Sequence, residues 1–585
     1  MKTAKRFLTA ALAVLFTLMC ALPALAEDAS AATQTYTLTI TNPAAGHIYE
    51  VYQIFAGHHT QDDYKEYLSD IDWGSGVTSD GTSQQEMINK LKADGLYDQN
   101  TTYVAGVNDA TKVAMALSKL NDKAEEVDKF NEIVGAYLGT AADTQKAGST
   151  QIQFTNLSAG YYLVKDKNGS VGENESYTKY LVKLVADANM NIKSQSMSLE
   201  KHILTGDTKV TANNAAMGDT VNYCLESRLS EMDGYDTYTF IVHDELDAGL
   251  TFNDDVAVKI GADEDNLKDY PNSITVAYAT EENGNYRSER PTIEKGKKLY
   301  IRITLNGLTQ QYKGQLVSIT YSATVNEKAN IGNTPNNNVA YLEYSNNPNE
   351  SQQNGQTSTT GTPKTTVSTY VAGIQIGKVS PKGSLLPGAQ FKIEAQDVTE
   401  AINELNVTGY SFAKAENNSD KSYYYQEGGS FVTVTPNESD QKYVAKGGTN
   451  RNTGSSIVGM TGDDNNSTQS GILRFDGLKA GTYTITEVLA PTGYKKLKNP
   501  ITVKITWVEN SSNHWSYEVT GGTTGDIELD DVDDGVQSFK IVNQHGLTLP
   551  FTGGAGANLL AGVGLALMAA AAAAILYIKH RKERE

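Results

Sequence analysis

Apolar and polar residues alternate one for one along much of this chain, in short runs bounded by turn-forming residues. A period of two commits such runs to extended strands with one buried face. Tyr36, Leu38 and Ile40 stand out of phase with Thr37 and Thr39. Further along, Val221–Leu225, Tyr238–Val242, Leu299–Leu305, Leu316–Val325 and Val339–Tyr344 read as strands with polar connections. Tyrosine, which suits half-buried strands, occurs 33 times against 13 phenylalanines and 3 tryptophans. One stretch breaks the pattern. Thr111–Leu138 carries Val113, Leu117, Leu120, Val127 and Phe130 roughly at helical spacing, and a helix is expected there. A nine-residue unit also recurs: Phe154 to Tyr162 matches Phe475 to Tyr483 at Phe, Leu, Ala, Gly and the second Tyr. Six residues past each glycine stands a carboxylate, Asp166 and Glu487. Repeated strand-turn-strand units point to related β-sandwiches at the two ends of the chain.

The ends themselves read as addresses. Residues 1–26 carry Lys2, Lys5 and Arg6, then an apolar run to Leu22, then Ala24-Leu25-Ala26. That order is a secretory signal peptide, with cleavage expected after Ala26. At the other end, Leu559 to Ile578 holds no charge, and at about 1.5 Å per residue it spans one bilayer core. The basic tail of residues 579–585 follows, which orients that span with the tail in the cytoplasm. Immediately before the span stands Leu549-Pro550-Phe551-Thr552-Gly553. Pentapeptide, span and basic tail, in that order behind a signal peptide, resemble the LPxTG cell-wall sorting signal of Gram-positive surface proteins. The resemblance implies sortase cleavage between Thr552 and Gly553, with Thr552 becoming an acyl donor.

Processing would remove three basic residues in front and a net two behind, taking the charge from −20 to −25. A polyanion of that kind is a poor partner for nucleic acid. Of two cysteines, Cys20 falls in the signal peptide, and Cys224 alone cannot form an internal disulfide. Secretion favours disulfide staples, so their lack in a multidomain exposed protein asks for another stabiliser.

The expected fold is all-β, with three tandem immunoglobulin-like β-sandwich domains, of Cna type by the resemblance of the motifs that follow. The first, 27–195, has a helical insertion. The second is 196–348 and the third 370–545, with a linker at 349–369 and a polar, Asn/Gly-rich insertion of long loops at Asp397–Ser470. In the third, Thr482-Tyr483-Thr-Ile485-Thr-Glu487-Val-Leu-Ala-Pro491-Thr-Gly-Tyr494 looks like the E-box of Cna B-type pilin domains. The resemblance implies an intramolecular isopeptide bond between Lys378 and Asn543, promoted by Glu487. Alternation supports it separately. Ile374 and Ile376 share a face with Lys378, Tyr483 and Ile485 with Glu487, and Phe539 and Ile541 with Asn543, so each polar group lies on its strand's apolar face. Burial disfavours charge, which favours a neutral, nucleophilic amine. A protonated carboxyl could donate to the asparagine amide oxygen, and attack would expel one ammonia.

The second domain repeats the signature with aspartate. Lys201 is in phase with Leu199 and Ile203; Asp244 with Tyr238, Phe240 and Val242; Asn338 with Ala340, Leu342 and Tyr344. The stretches beginning at Asp244 and Asn338 resemble the middle domains of backbone pilins, which implies a Lys201–Asn338 bond promoted by Asp244. Asn336 and Asn337 compete for the acceptor role and Glu245 for the carboxyl. In the first domain Asp166 holds the E-box position, but no lysine occurs from Glu27 to Asp63, so no bond is expected.

Taken together these motifs resemble a sortase-assembled backbone (major) pilin. The family implies an acceptor lysine just before the second domain, where Lys193 stands, with Lys183 as fallback; Asn191-Ile192 replaces the family's tyrosine-proline. Implied partners are a class C (pilus) sortase, a housekeeping sortase, other copies of the chain, ancillary pilins and peptidoglycan, with membrane contact only before sorting. The alternative is an ancillary pilin or a monomeric wall-anchored adhesin. No cofactor and no enzyme activity beyond the single-turnover bonds are expected. His58-His59 and the acidic run Asp530–Asp534 read as solvated, since neither has metal-ligand spacing.

Overall fold

The computed structural model describes residues 34–582, except 62–65, 100–106, 121–123, 149, 173–174, 192–196, 231, 233–234, 236–237, 348–357, 397–401, 416–423, 428–429, 434–440, 463–469, 510–512, 523–525, 531–533 and 547–554. The signal peptide, Lys193 and the sorting pentapeptide therefore lie outside the described residues. The fold is mostly β, built from several sheets with short helices. The chain divides into two compact units. One holds residues up to 213, 219–330 and 335–369; the other holds 370 onward together with 214–218 and 331–334.

In the first unit, the opening strand Thr35–Thr41 lies between the antiparallel Gln151–Ser158 and the parallel Ala188–Asn191. A five-stranded sheet beside it is centred on Ile48–Gln61 and Gly160–Asp166. Three helices contribute to the same core: α1 (Gly81–Ala93), α2 (Asp109–Leu117) and α3 (Ala124–Gly135). The single helix expected over Thr111–Leu138 is thus two, because Ser118 closes the first and the second starts afresh at Ala124. Helix α1 went unread because only Met87, Ile88 and Leu91 are buried, too few apolar residues to form a periodic stripe. Asp80 starts it by accepting from the Ser83 N–H, and Asn108 does the same for α2 through Thr111. Phe130 of α3 stacks on Phe55, whose ring also stacks against Trp73.

The sequence repeat is a structural one. In each copy a bulge separates the Phe from the Leu: Leu38 faces Phe154 while Tyr36 faces Leu157, and Ile374 faces Phe475 while Ala372 faces Leu478. Asn156 and Gly477 occupy the same place in these bulges with φ of 59° and 112°, a backbone that glycine and asparagine tolerate best. Tyr162 and Tyr483 each donate a hydrogen bond to the carbonyl four residues back, at 2.9 and 3.0 Å.

The rest of the first unit consists of two seven-stranded sheets. One carries Glu200–Thr205, Thr220–Arg228 and Leu316–Val325 as neighbours; the other carries Asn336–Ser345, Phe240–Asp247 and Lys298–Leu305. Part of the stretch expected as linker belongs to the second sheet, where Thr359–Gly361 and Thr365–Tyr370 pair with Asn336–Ser345. Their threonine-rich composition hid the alternation that buries Val367 and Thr369.

The second unit is dominated by an eleven-stranded sheet. Its first strand, Ala372–Val379, lies between the antiparallel Ile472–Leu478 and the parallel Gln537–Val542. The insertion expected as long loops is strongly stranded instead, with Glu404–Lys414 pairing along its whole length with Tyr443–Thr453. Helix α4 runs from Ala555 to Lys582. Side chains of the span expected at Leu559–Ile578 are described only at 565 and from 567 on, and among the described residues no helix is long and apolar enough to cross a membrane.

Candidate functional site

In the second unit, parallel pairing sets Lys378 opposite Ile541, and the Asn543 N–H donates to the Val379 carbonyl at 3.0 Å. First and last strands are thus direct neighbours, and their polar ends meet. Lys378, Glu487 and Asn543 are at most 2% exposed. The Lys378 ammonium donates to Asn543 Oδ1. Asn543 Nδ2 donates to Glu487 Oε1 at 2.8 Å, and the same Oε1 lies 3.4 Å from Lys378 Nζ. The Leu497 N–H holds Oε2 at 2.7 Å. Burial lowers the Lys378 pKa to about 8, against the opposing pull of Glu487. The amide orientation differs from the expected one. Its nitrogen, not its oxygen, faces the carboxylate, so a single carboxylate oxygen faces both the lysine and the amide nitrogen.

In the first unit the triad is assembled across two sheets. Lys201 projects from one, Asp244 and Asn338 from the other, where Asn338 pairs with Leu246 two positions from Asp244. All three are at most 2% exposed. Lys201 Nζ donates to Asp244 Oδ2 at 2.8 Å and to Asn338 Oδ1 at 2.5 Å, and burial lowers its pKa despite the charge of Asp244. The competitors are engaged elsewhere. Asn336 bonds Asn330 and the Thr369 carbonyl, Asn337 accepts from Ser368, and Glu245 pairs with Lys298.

Sequence reasoning missed Tyr321. Its hydroxyl accepts from Lys201 Nζ at 3.0 Å and Asn338 Nδ2 at 2.7 Å, and donates to Asp244 Oδ2 at 2.6 Å. Its alternation with buried Val317, Ile319, Ala323 and Val325 was legible, but an inward tyrosine reads first as packing. Tyr223 is the second aromatic at the site; the lysine nitrogen sits 5.7 and 5.6 Å from the Tyr223 and Tyr321 ring centres.

The repeat in the first unit lacks these partners. Leu38 and Ile374 face equivalent phenylalanines, so four residues further along Asn42 stands where Lys378 does. Asp166 is fully buried and takes its hydrogen bonds from the Thr178 N–H and hydroxyl and from His47 Nδ1 at 2.8 Å. His47 Nε2 meets Glu175 at 3.1 Å. Burial alone would lower the His47 pKa, but the bonds and charges of Asp166 and Glu175 outweigh it and raise it above 6.5. The stability this clamp contributes is therefore complete below about pH 6.5 and is lost as pH rises through the raised folded value. The melting midpoint of the first unit should fall over that rise. In a His47→Gln variant the slope should flatten; equal slopes would remove the clamp from the account.

The remaining candidates are ordinary. His58 is exposed, and His59 bonds the Tyr36 hydroxyl. Asp530 pairs with Lys540, and residues 531–533 lie outside the described set. Asn189 and Asn191 are exposed, and Lys183, the fallback acceptor, is half-buried. Among the described residues Glu200, His202 and Glu226 could together face a cation, but Lys209 already pairs with Glu226 at 2.7 Å.

Comparison with known proteins bears on the second unit first. Residues 372–521 match the SpaA prealbumin-like fold domain. Among solved structures, several that are similar over nearly the full length are Gram-positive major backbone pilins. The T6 backbone pilin of Streptococcus pyogenes is 14% identical, with 90% of this chain and 100% of that one covered at a TM-score of 0.45. SpaD of Corynebacterium diphtheriae is 15% identical, with 88% and 98% covered at 0.40. BcpA of Bacillus cereus is 14% identical, with 88% and 100% covered at 0.37. No curated protein matches the chain.

Proposed function

We propose that this chain is the structural backbone subunit of a covalently polymerised, cell-wall-anchored pilus, built of three tandem immunoglobulin-like sandwiches. The observation that carries the reading is a pair of buried Lys–Asn–carboxylate triads. Each brings an early strand of its fold to a late one, in a chain whose sequence carries an export-signal-like stretch at residues 1–26 and LPFTG at 549–553. A buried ion pair is a poor stabiliser, because desolvating two charges offsets most of their attraction. The same three groups become useful once lysine displaces ammonia and leaves a neutral amide.

At the Lys378 site the neutral amine attacks Cγ of Asn543 while Glu487 Oε1 collects a proton from Nζ. The carboxyl then returns a proton to Nδ2, which leaves as ammonia. Loss of ammonia makes the step irreversible in practice, and reducing agents do not touch the product. Between subunits, sortase joins Thr552 to Lys193 of the next copy.

Replacing Lys193 by alanine in a sortase-competent Gram-positive cell should abolish the boiling-resistant ladder of wall extracts while leaving wall-attached monomer. A persisting ladder would move the acceptor elsewhere, Lys183 first. Attachment with no ladder even for the unaltered chain would favour the ancillary pilin or adhesin.

A further inference from the structure

We propose that Tyr321 is a catalytic proton relay for the Lys201–Asn338 bond, carrying to the leaving amide nitrogen the proton that Asp244 takes from the attacking lysine. The inference deepens the isopeptide reading above and rests on it. It comes from comparing the two triads atom by atom. Glu487 spans its site unaided, since one oxygen lies 3.4 Å from the lysine nitrogen and 2.8 Å from the amide nitrogen. Asp244 is one methylene shorter. Its Oδ2 meets Lys201 at 2.8 Å, and the hydrogen bond of Asn338 Nδ2 goes to the Tyr321 hydroxyl instead, at 2.7 Å. That hydroxyl closes the gap by donating to Asp244 Oδ2 at 2.6 Å. Aspartate plus tyrosine thus covers the path that glutamate covers alone.

The step balances without any further reactant. The lone pair of neutral Lys201 Nζ forms a bond to Asn338 Cγ, and the carbonyl π pair moves onto Oδ1. Nζ passes one proton to Asp244 Oδ2. As the intermediate collapses, the C–Nδ2 pair leaves with nitrogen, which by then has an amine lone pair able to accept. Tyr321 gives its proton to Nδ2 and takes the one held by Asp244, reversing the direction of both hydrogen bonds. The products are a secondary amide and ammonia, with Tyr321 and Asp244 restored. Burial first, and the charge of Asp244 second, push the phenol well above its ordinary range, so it stays protonated and able to both accept and donate. Nζ also lies within 3.0 Å of this hydroxyl, which keeps the amine on the path.

The test is intact-mass spectrometry of the full chain, sampled over time after cell-free synthesis. The unaltered chain should lose two ammonias. Tyr321→Phe keeps the ring and its packing. It should lose the ammonia of the Lys378 site on the normal time course and that of the Lys201 site at least about tenfold more slowly, as general acid–base contributions require. Tyr321→Phe with Asp244→Glu supplies the missing reach and should recover the rate. Loss of both ammonias from Tyr321→Phe at the unaltered rate would overturn the relay. So would a slow variant that the longer carboxylate fails to rescue, which would make Tyr321 a packing residue. An unaltered chain that loses no ammonia would instead sink the isopeptide reading itself.

Discussion

A Glu487→Gln variant is expected to have an intact mass one ammonia below its own sequence, and Asp244→Asn likewise, where the unaltered chain lies two below. Both substitutions keep the shape of the side chain and remove its ability to take and return a proton. The lysine and asparagine would stay within reach of each other and remain unjoined. Lysine titration adds a second readout at the Glu487 site. With Lys378 at about 8, the neutral amine is the minor form at pH 6 and the major form at pH 9, so bond formation there should quicken across that interval. Peptide mapping should recover both Lys378 linked to Asn543 and Lys201 linked to Asn338 in the unaltered chain, only the second in Glu487→Gln and only the first in Asp244→Asn. Two ammonias lost from Glu487→Gln would exclude Glu487 as the promoter.

The second large effect concerns stability. The paired lysine and asparagine lie 165 and 137 positions apart, so the proposed bonds would close the strands between them into rings of that size. By analogy with disulfides closing loops of this order, each such ring would be worth up to about 5 kcal/mol, or on the order of 10 °C in melting temperature. The Glu487→Gln, Asp244→Asn double variant should therefore melt well below the unaltered chain, in reducing and oxidising buffers alike, and be cut by trypsin under conditions the unaltered chain survives. Matching melting curves would mean that the bonds add nothing. Pulling should separate the two sites in a characteristic way. A Lys378–Asn543 bond would join adjacent parallel strands, so force entering at Tyr370 should leave at Gln544 without extending residues 378–543. A Lys201–Asn338 bond would join two different sheets, so residues 201–338 should stay folded while the strand at Thr365–Tyr370 peels away.

Much of both triads was legible because a period of two assigns a face to every strand residue without knowledge of its neighbour. Lys201, Asp244, Asn338, Lys378, Glu487 and Asn543 all sit on the faces that alternation assigned them, and all six are buried. Alternation fails where apolar residues are too few or the polar ones too uniform. Helix α1 buries three side chains, and the strand at Thr365–Tyr370 is largely threonine and serine. Its Asn/Gly-rich composition likewise made the 404–453 hairpin look like loop, although the cross-strand pairing is continuous.

The chain alone determined which groups would be buried and that the first repeat would lack an amine, since strand phase and residue identity are local properties. Tertiary structure decided how the groups meet. It made the Lys378 partners neighbours in one sheet and the Lys201 partners residents of two, and it turned the Asn543 amide nitrogen toward glutamate. It also brought Tyr321 into the gap left by the shorter aspartate. Sheet pairing and side-chain reach depend on contacts between strands that lie from 17 to 165 residues apart, and no short window of sequence contains them.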